Sequence, residues 1–207
     1  MQSEIQTNNQ PRRSFIEAAR RAQIIECAIS TIAEAGFAQA SLAQIAKRAG
    51  VSTGVISYYF AGKDDLIREV GAHVFAAGEA LIRPTVDTEA TAAGALRAFI
   101  AASVAFIGSH PLYGRAILNI ARSGRDERDR PRLDPAILQP RLEGFKRILE
   151  WGQRTGEFRA FSVPVMAVTI VEALDAVPQQ LVEDPELDLA AYAGELVELF
   201  DRATRQS

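Results

Sequence analysis

SLAQIAKRAGVSTGVISYYFAGK, residues 41–63, holds two short helical patterns joined by a turn. Ser41 stands to cap the first, with Gln44 three residues on completing an S-x-x-Q box that satisfies exposed amides at a helix start. Leu42, Ile45, Ala46 and Ala49 fall at i, i+3, i+4 and i+7 and give that helix one apolar face. Gly50 follows where a chain leaving a helix needs positive φ, which glycine adopts without a Cβ clash. Val51 can turn inward beneath it. Ser52 caps a second helix over residues 53–60, with Val55 and Ile56 inside and Thr53, Ser57 and Tyr58 outside. Two helices about such a turn form a helix-turn-helix, whose second helix can enter the major groove of DNA.

The same residues resemble a known family. Ile45-Ala46, Ala49-Gly50-Val51-Ser52, Gly54, Tyr59-Phe60 and Lys63, with Gly36-Phe37 upstream and Leu66 downstream, are similar to the N-terminal domain of tetracycline-repressor (TetR) family transcriptional regulators. The wording STGVISYYFAGKDDL is most similar to the betaine-pathway repressor subgroup, and Ser57 stands where the family commonly has Tyr. The resemblance spans about residues 20–70. On the residues alone, the hydroxyls of Thr53, Ser57 and Tyr58 suit base edges or phosphates, and a Tyr ring can touch a thymine methyl. The resemblance adds Tyr59 and Lys63 as phosphate contacts and Gly54 as a point of close backbone approach. Ser41 and Gln44 complete the DNA-binding set, Gln44 serving equally well as a cap.

Charge is distributed in keeping with this. The chain carries -3 overall, but residues 1–60 hold six basic side chains (Arg12, Arg13, Arg20, Arg21, Lys47, Arg48) against four acidic ones (Glu4, Glu17, Glu26, Glu34), so the positive end coincides with the helix-turn-helix. One cysteine, Cys27, excludes an intramolecular disulfide framework and suits a place in helix packing. The polar start MQSEIQTNNQPRR lacks the apolar run of a signal peptide, and no stretch reaches about 18 uninterrupted apolar residues. The expectation is a cytoplasmic protein with no membrane partner.

Outward from the motif, residues 1–13 read as a flexible arm. Phe15, Ala19, Ala22, Ile25, Ile29, Ile32 and Ala33 predict a helix over residues 14–35 that braces the helix-turn-helix and ends at Gly36. Asp64 and Asp65 sit in the first turn of a long helix predicted to reach residue 83, with residues 84–88 breaking it. Further helices are predicted over residues 92–109, 112–122, 134–154 and 162–181, and a last one starting at Asp184-Pro185. Pro164 and Pro185 would occupy first turns. The charged run RSGRDERDRPR, residues 122–132, reads as a solvated loop. The fold class is therefore all-α: the arm, a three-helix helix-turn-helix domain over residues 14–62, and a larger helical ligand-binding and dimerisation domain over residues 63–207. Val165, Val168, Thr169, Val171, Ala173 and Leu174, then Leu189, Ala193, Leu196, Val197 and Phe200, exceed the needs of one intrachain contact and predict a homodimer through the last two helices.

The resemblance implies a small-molecule pocket among the central helices. Its candidate residues are Phe106, His110, Tyr113, Asn119, Trp151, Glu172 and Asp175, with Arg115 as a further polar group nearby. Glu172 and Asp175, three apart in an apolar helix, would attract a cationic ligand or form an acidic pair at the dimer interface. No G-x-S-x-G, glycine-rich phosphate loop or H-E-x-x-H occurs, and Glu69 with His73 at i, i+4 lacks a third metal ligand. No catalytic residue, metal or cofactor is expected. The expected function is a ligand-responsive regulator binding double-stranded operator DNA as a repressor. The alternatives are a helical dimer whose helix-turn-helix contacts protein, or a helical enzyme.

Overall fold

The computed structural model describes residues 10–126 and 128–206, with the side chains of residues 10–13 left aside. Ten helices are present among them: α1 (Gln10–Ala35), α2 (Leu42–Ala49), α3 (Thr53–Tyr59), α4 (Lys63–Asp87), α5 (Ala92–Ser109), α6 (Pro111–Arg122), α7 (Pro135–Thr155), α8 (Val163–Asp175), α9 (Val177–Glu183) and α10 (Leu189–Thr204). The only β pairing among the described residues is two isolated bridges, Arg125 with Pro131 and Phe158 with Arg205.

Two cores hold these helices. The first joins α1, α2, α3 and the front half of α4 through Ile24, Ile29, Ile32, Ile45, Ile56 and Leu66, and it also takes Ala116 and Ile120 from α6. The second joins α5, α7, α8 and α10 through Leu96, Ile100, Phe145, Leu149, Ile170 and Phe200. Helix α4 runs from one core to the other; at 1.5 Å per residue it spans ~37 Å.

Several boundaries differ from the sequence reading, each for a local reason. Helix α1 begins at Gln10, so Arg12 and Arg13 lie in its first turns and only residues 1–9 of the expected arm fall outside the described residues. Helix α4 passes through Pro84 to Asp87, because Ile82 is buried and Val86 packs against the second core. The expected single helix after Ser162 divides at Ala176 into α8 and α9, with Pro178, which has no amide proton, in the first turn of α9. Pro185 lies outside α10. It follows Asp184 in a turn closed by Leu187 N donating to Asp184 O at 3.2 Å, and Asp188 caps α10 by accepting from Ala190 and Ala191 N at 3.0 Å.

Residues 122–132 are not simply solvated. The Asp126 carboxylate accepts from Arg128 N and Arg130 N at 2.9 Å and from the Arg130 guanidinium at 2.8 Å, which folds the run into a compact loop. Its last residue, Arg132, lies 4.7 Å over the Phe37 ring and pairs with Asp64, so the loop docks on the first core. Glu157 closes the second core's other end. Its carboxylate accepts from Ala92 and Ala93 N at 3.2 and 3.1 Å, capping α5 from a turn 64 residues later.

Two helical stretches, Ala92–Ser109 and Val163–Glu183, have the length and mean hydropathy (1.6 and 1.3) of a membrane span. Both contribute their buried residues to the second core, and Val165, Val168 and Val182 of the second stretch stay exposed.

Candidate functional site

The helix-turn-helix is built by local capping. Ser41 Oγ accepts from Gln44 N at 3.2 Å, Ser52 Oγ accepts from Val55 N at 3.3 Å, and Gly50 between them takes φ 65°. The return half of the predicted capping box is absent: Ser41 N donates instead to Gln39 O at 2.8 Å, and Gln44 is exposed. Val51 N donates to Ala46 O at 3.0 Å, and Ile56 is fully buried beneath the turn. Gln23 Nε2 ties α1 to the turn through Ala49 O at 3.2 Å.

This packing leaves one face of α3 outward. Thr53, Gly54, Ser57 and Tyr58 are exposed, Tyr58 at 71%, while Tyr59 is half-buried with its ring 5.0 Å from that of Tyr58, edge to face. Ser57 Oγ donates to Thr53 O at 3.1 Å, so its hydroxyl is presented outward as an acceptor. Gly54 is informative because the fold does not require it: an added Cβ would meet only Ser52 Oγ, at 3.6 Å. Glycine inside a helix costs about 0.5–1 kcal/mol relative to alanine, and no close contact among the described residues calls for it here.

Lys63 is held differently from a free phosphate contact. Its Nζ donates to Phe37 O at 2.9 Å and sits 4.2 Å over the Phe37 ring, with Arg132 over that ring as well. Burial, then the neighbouring Arg132, pull its pKa below the ordinary lysine value. Two of its three donors remain for an outside partner. No sequence pattern signals the Phe37–Lys63–Arg132 stack, because Arg132 is far along the chain in a run that reads as loop.

A second polar knot joins α1, α4 and α6. Tyr113 Oη donates to Glu26 Oε1 at 2.6 Å, and His73 Nε2 lies 2.8 Å from the same oxygen. Burial, then the bond to Glu26, push the Tyr113 phenol up to about 12. Glu69 pairs with Arg21 at 2.7 Å instead of joining His73, and among the described residues no three His, Cys, Asp or Glu side chains gather for a metal. Cys27 packs against the first core, where burial raises its thiol pKa, away from the reactive range.

The body encloses a cavity of about 690 Å³ walled by α4, α5, α6, α7, α8 and α9. Of the sequence candidates, Phe106, Trp151 and Asp175 line it. The others lie elsewhere. His110 stacks between Phe106 and Tyr113, at 4.7 and 5.2 Å; Tyr113 is committed to Glu26; Asn119 Nδ2 donates to Ile32 O at 2.9 Å and ties α6 to α1. Glu172 is exposed outside the cavity. The expected Glu172–Asp175 pair does not form there, since Asp175 turns to Arg141 on α7, whose Nη2 donates to it at 2.6 Å. The sequence candidates do not include Arg141, one of several charged residues lining the cavity; its only signal is a basic residue on the face that also carries Leu138 and Phe145.

A capped helix-turn-helix above a cavity-bearing helical body defines the class: a ligand-pocketed, all-α helix-turn-helix protein. Residues 24–70 match the family model for bacterial regulatory proteins of the tetR family. HTH-type transcriptional regulator BetI 1 of Chromohalobacter salexigens is 52% identical over 52 residues, 25% of this chain and 26% of that protein. BetI of Burkholderia thailandensis is 41% identical over 86 residues, 42% and 43% of the two chains. The chain thus spans less than half the length of these relatives. Likeness in fold covers nearly all of it. The transcriptional regulator FadR of Bacillus subtilis, solved in complex with stearoyl-CoA, superposes with TM-score 0.78 at 26% identity over 86% of this chain and 96% of that one. The ketosteroid transcriptional regulator KstR2 of Mycobacterium tuberculosis has the same fold, with TM-score 0.71 at 19% identity over 91% and 96%. Residues 24–70 thus match the tetR-family domain, and the chain shares the fold of the solved regulator FadR.

Proposed function

We propose that this chain is a dimeric, cytoplasmic transcriptional regulator that binds a pseudo-palindromic DNA operator when unliganded and is released by a small molecule entering the body cavity. The observation that carries this reading is the outward face of α3, where Thr53, Gly54, Ser57 and Tyr58 are exposed on a short helix locked by a buried Ile56. That the matched relatives are named transcriptional regulators supports it. In this reading Thr53, Ser57 and Tyr58 meet base edges and phosphates, Gly54 admits the DNA backbone, and Ser41, Gln44, Tyr59 and Lys63 contact phosphates from the flanks.

Dimerisation supplies a second reading head, because one short helix contacts too few bases for useful affinity. Val165 and Val168 on α8 and Leu199 on α10 are exposed at 65%, 46% and 57%, which supports a self-association surface on the last helices. In this reading residues 14–62 meet DNA and residues 63–207 take the ligand and dimerise, with α6 lending Ala116 and Ile120 to the first core. Coupling would run through α4, which carries Lys63 at the head and Phe75, Gly78 and Ile82 at the cavity wall, and through the Glu26–His73–Tyr113 knot. A hundredfold change in operator affinity needs ~2.7 kcal/mol of preference for one arrangement.

The test is titration of the purified chain with operator and random duplexes at two salt concentrations. Operator affinity should fall with salt, and Tyr58→Ala should lower it roughly tenfold to a hundredfold while dimerisation is unchanged. Salt-insensitive or absent DNA binding would instead favour a protein-contacting helix-turn-helix.

A further inference from the structure

The chemistry of the cavity specifies its ligand more closely than the helix-turn-helix does. Its walls are mainly apolar, with Phe75, Phe99, Phe106, Ile82 and Trp151 among them, and its volume falls in the range of about 300–1,000 Å³ of sites that bury a whole organic ligand. From Phe75 to Val86 the wall follows α4 for ~16 Å, the reach of an extended alkyl chain.

Besides Arg141 and Asp175, the lining carries the charged Glu79, Arg83, Asp87, Glu89 and Arg147, and part of this polar surface is spent internally. Ser103 Oγ donates to Phe99 O at 2.7 Å, and Glu79 pairs with Arg83. Asp175, the acid facing α7, is neutralised by Arg141. Arg141 itself is not fully used. Its Nη2 holds Asp175 and its guanidinium lies 5.5 Å from the Phe75 ring centre, but its buried Nε–H has no protein acceptor. A buried charged donor without an acceptor is costly, and a ligand oxygen placed there removes the cost.

A cation fits poorly at this point. Arg141 repels it, and beside Arg141 one face of Phe75 is covered by the guanidinium and one face of Phe99 by Phe145 at 3.9 Å, with His110 tilted 4.7 Å from Phe106. We infer that the cavity takes a long-chain alkyl carboxylate, its chain along α4 and its carboxylate on Arg141, in competition with Asp175. The inference rests on the reading of this cavity as the effector site.

Trp151 is the only tryptophan and lines the cavity, so its emission reports occupancy without DNA. The full chain would be titrated, below micelle formation, with dodecanoate, 1-dodecanol, dodecyltrimethylammonium and choline. Dodecanoate is expected to saturate the signal about tenfold more tightly than the alcohol, the two cations giving no saturable change. Arg141→Met should bring dodecanoate down to the level of the alcohol. Asp175→Asn, which frees the guanidinium, should tighten dodecanoate binding; a merely structural ion pair predicts weakening. Equal affinity for carboxylate and alcohol, preference for either cation, no saturation by dodecanoate, or weakening in Asp175→Asn overturns the assignment. Dodecanoate binding that leaves operator affinity unchanged would sink the effector reading and leave the ligand assignment standing.

Discussion

The core beneath the helix-turn-helix and the core of the body are made of different side chains. The first is dominated by isoleucine and alanine, with Ile24, Ile29, Ile32, Ile45 and Ile56 fully buried against Ala28, Ala40, Ala46 and Ala49, and Phe60 as its one buried aromatic. β-Branched side chains have essentially one rotamer in a helix, and alanine lets helices approach closely, so this core holds one arrangement. The second relies on Phe145, Phe158 and Phe200 and keeps a cavity beside its stacked Phe99–Phe145 pair. Close packing lies under the outward face of α3, and spare volume lies in the body. Helices α4 and α6 reach both regions, α6 with Ala116 and Ile120 in the first core and Gly114 on the cavity wall.

Glycine substitutions break this comparison most sharply. An added Cβ at Gly152 would overlap the Phe158 ring, whose position also fixes the Glu157 cap, so Gly152→Ala should cost the body about 3 kcal/mol. At ~2–4 °C per kcal/mol for a chain this size, calorimetry should register a drop of about 10 °C. Gly54→Ala should do the opposite, raising the melting temperature slightly while operator affinity falls, because an added Cβ meets no close contact within the chain and, in the proposed function, fills the space left for DNA. Loss of stability in Gly54→Ala would show that the fold itself needs that glycine.

The link between the regions is addressed by Tyr113→Phe, which removes the 2.6 Å bond to Glu26 and leaves the ring in place. A stability loss of about 1–1.5 kcal/mol is expected. The fold-change in operator affinity on adding ligand should shrink while Trp151 emission reports unchanged ligand binding; an undiminished response would assign coupling to α4 alone.

The smallest effect concerns Glu157. Burial works to raise its pKa, but the Ala93 and Ala92 amides and the Thr155 hydroxyl outweigh it and hold the carboxyl below its ordinary value of 4.5. A depressed carboxylate contributes stability above its unfolded pKa and loses it as pH falls through the folded one. The melting-temperature gap between the native chain and Glu157→Gln should therefore be present near about pH 7 and close in acid, below about pH 4. A gap that persists in acid would assign Glu157 a steric role.

Legibility in the sequence follows the range of the interactions. The Ser41 and Ser52 caps and the positive φ of Gly50 are all set by neighbours within about one helical turn, and each reads off the residues directly. Proline misled in both directions. Pro84 looked like a break but is carried by the packing of Ile82 and Val86, while Pro178 was read through and marks the step between α8 and α9. The run 122–132 read as solvated because its charges interleave; its docking depends on Phe37 and Asp64, which no periodicity connects to Arg132.

By itself, the sequence determined the all-α class and the helix-turn-helix with its outward Thr53, Ser57 and Tyr58, because helix period, caps and a turn glycine are local physics. Only the tertiary structure decided that Lys63 leans on Phe37, that Tyr113 and Asn119 bind α1 instead of lining a pocket, and that Arg141 covers Asp175. Those outcomes turn on which side chains meet across tens of residues of chain, and there desolvation and the demand of each buried donor for an acceptor select partners that spacing along the sequence does not encode.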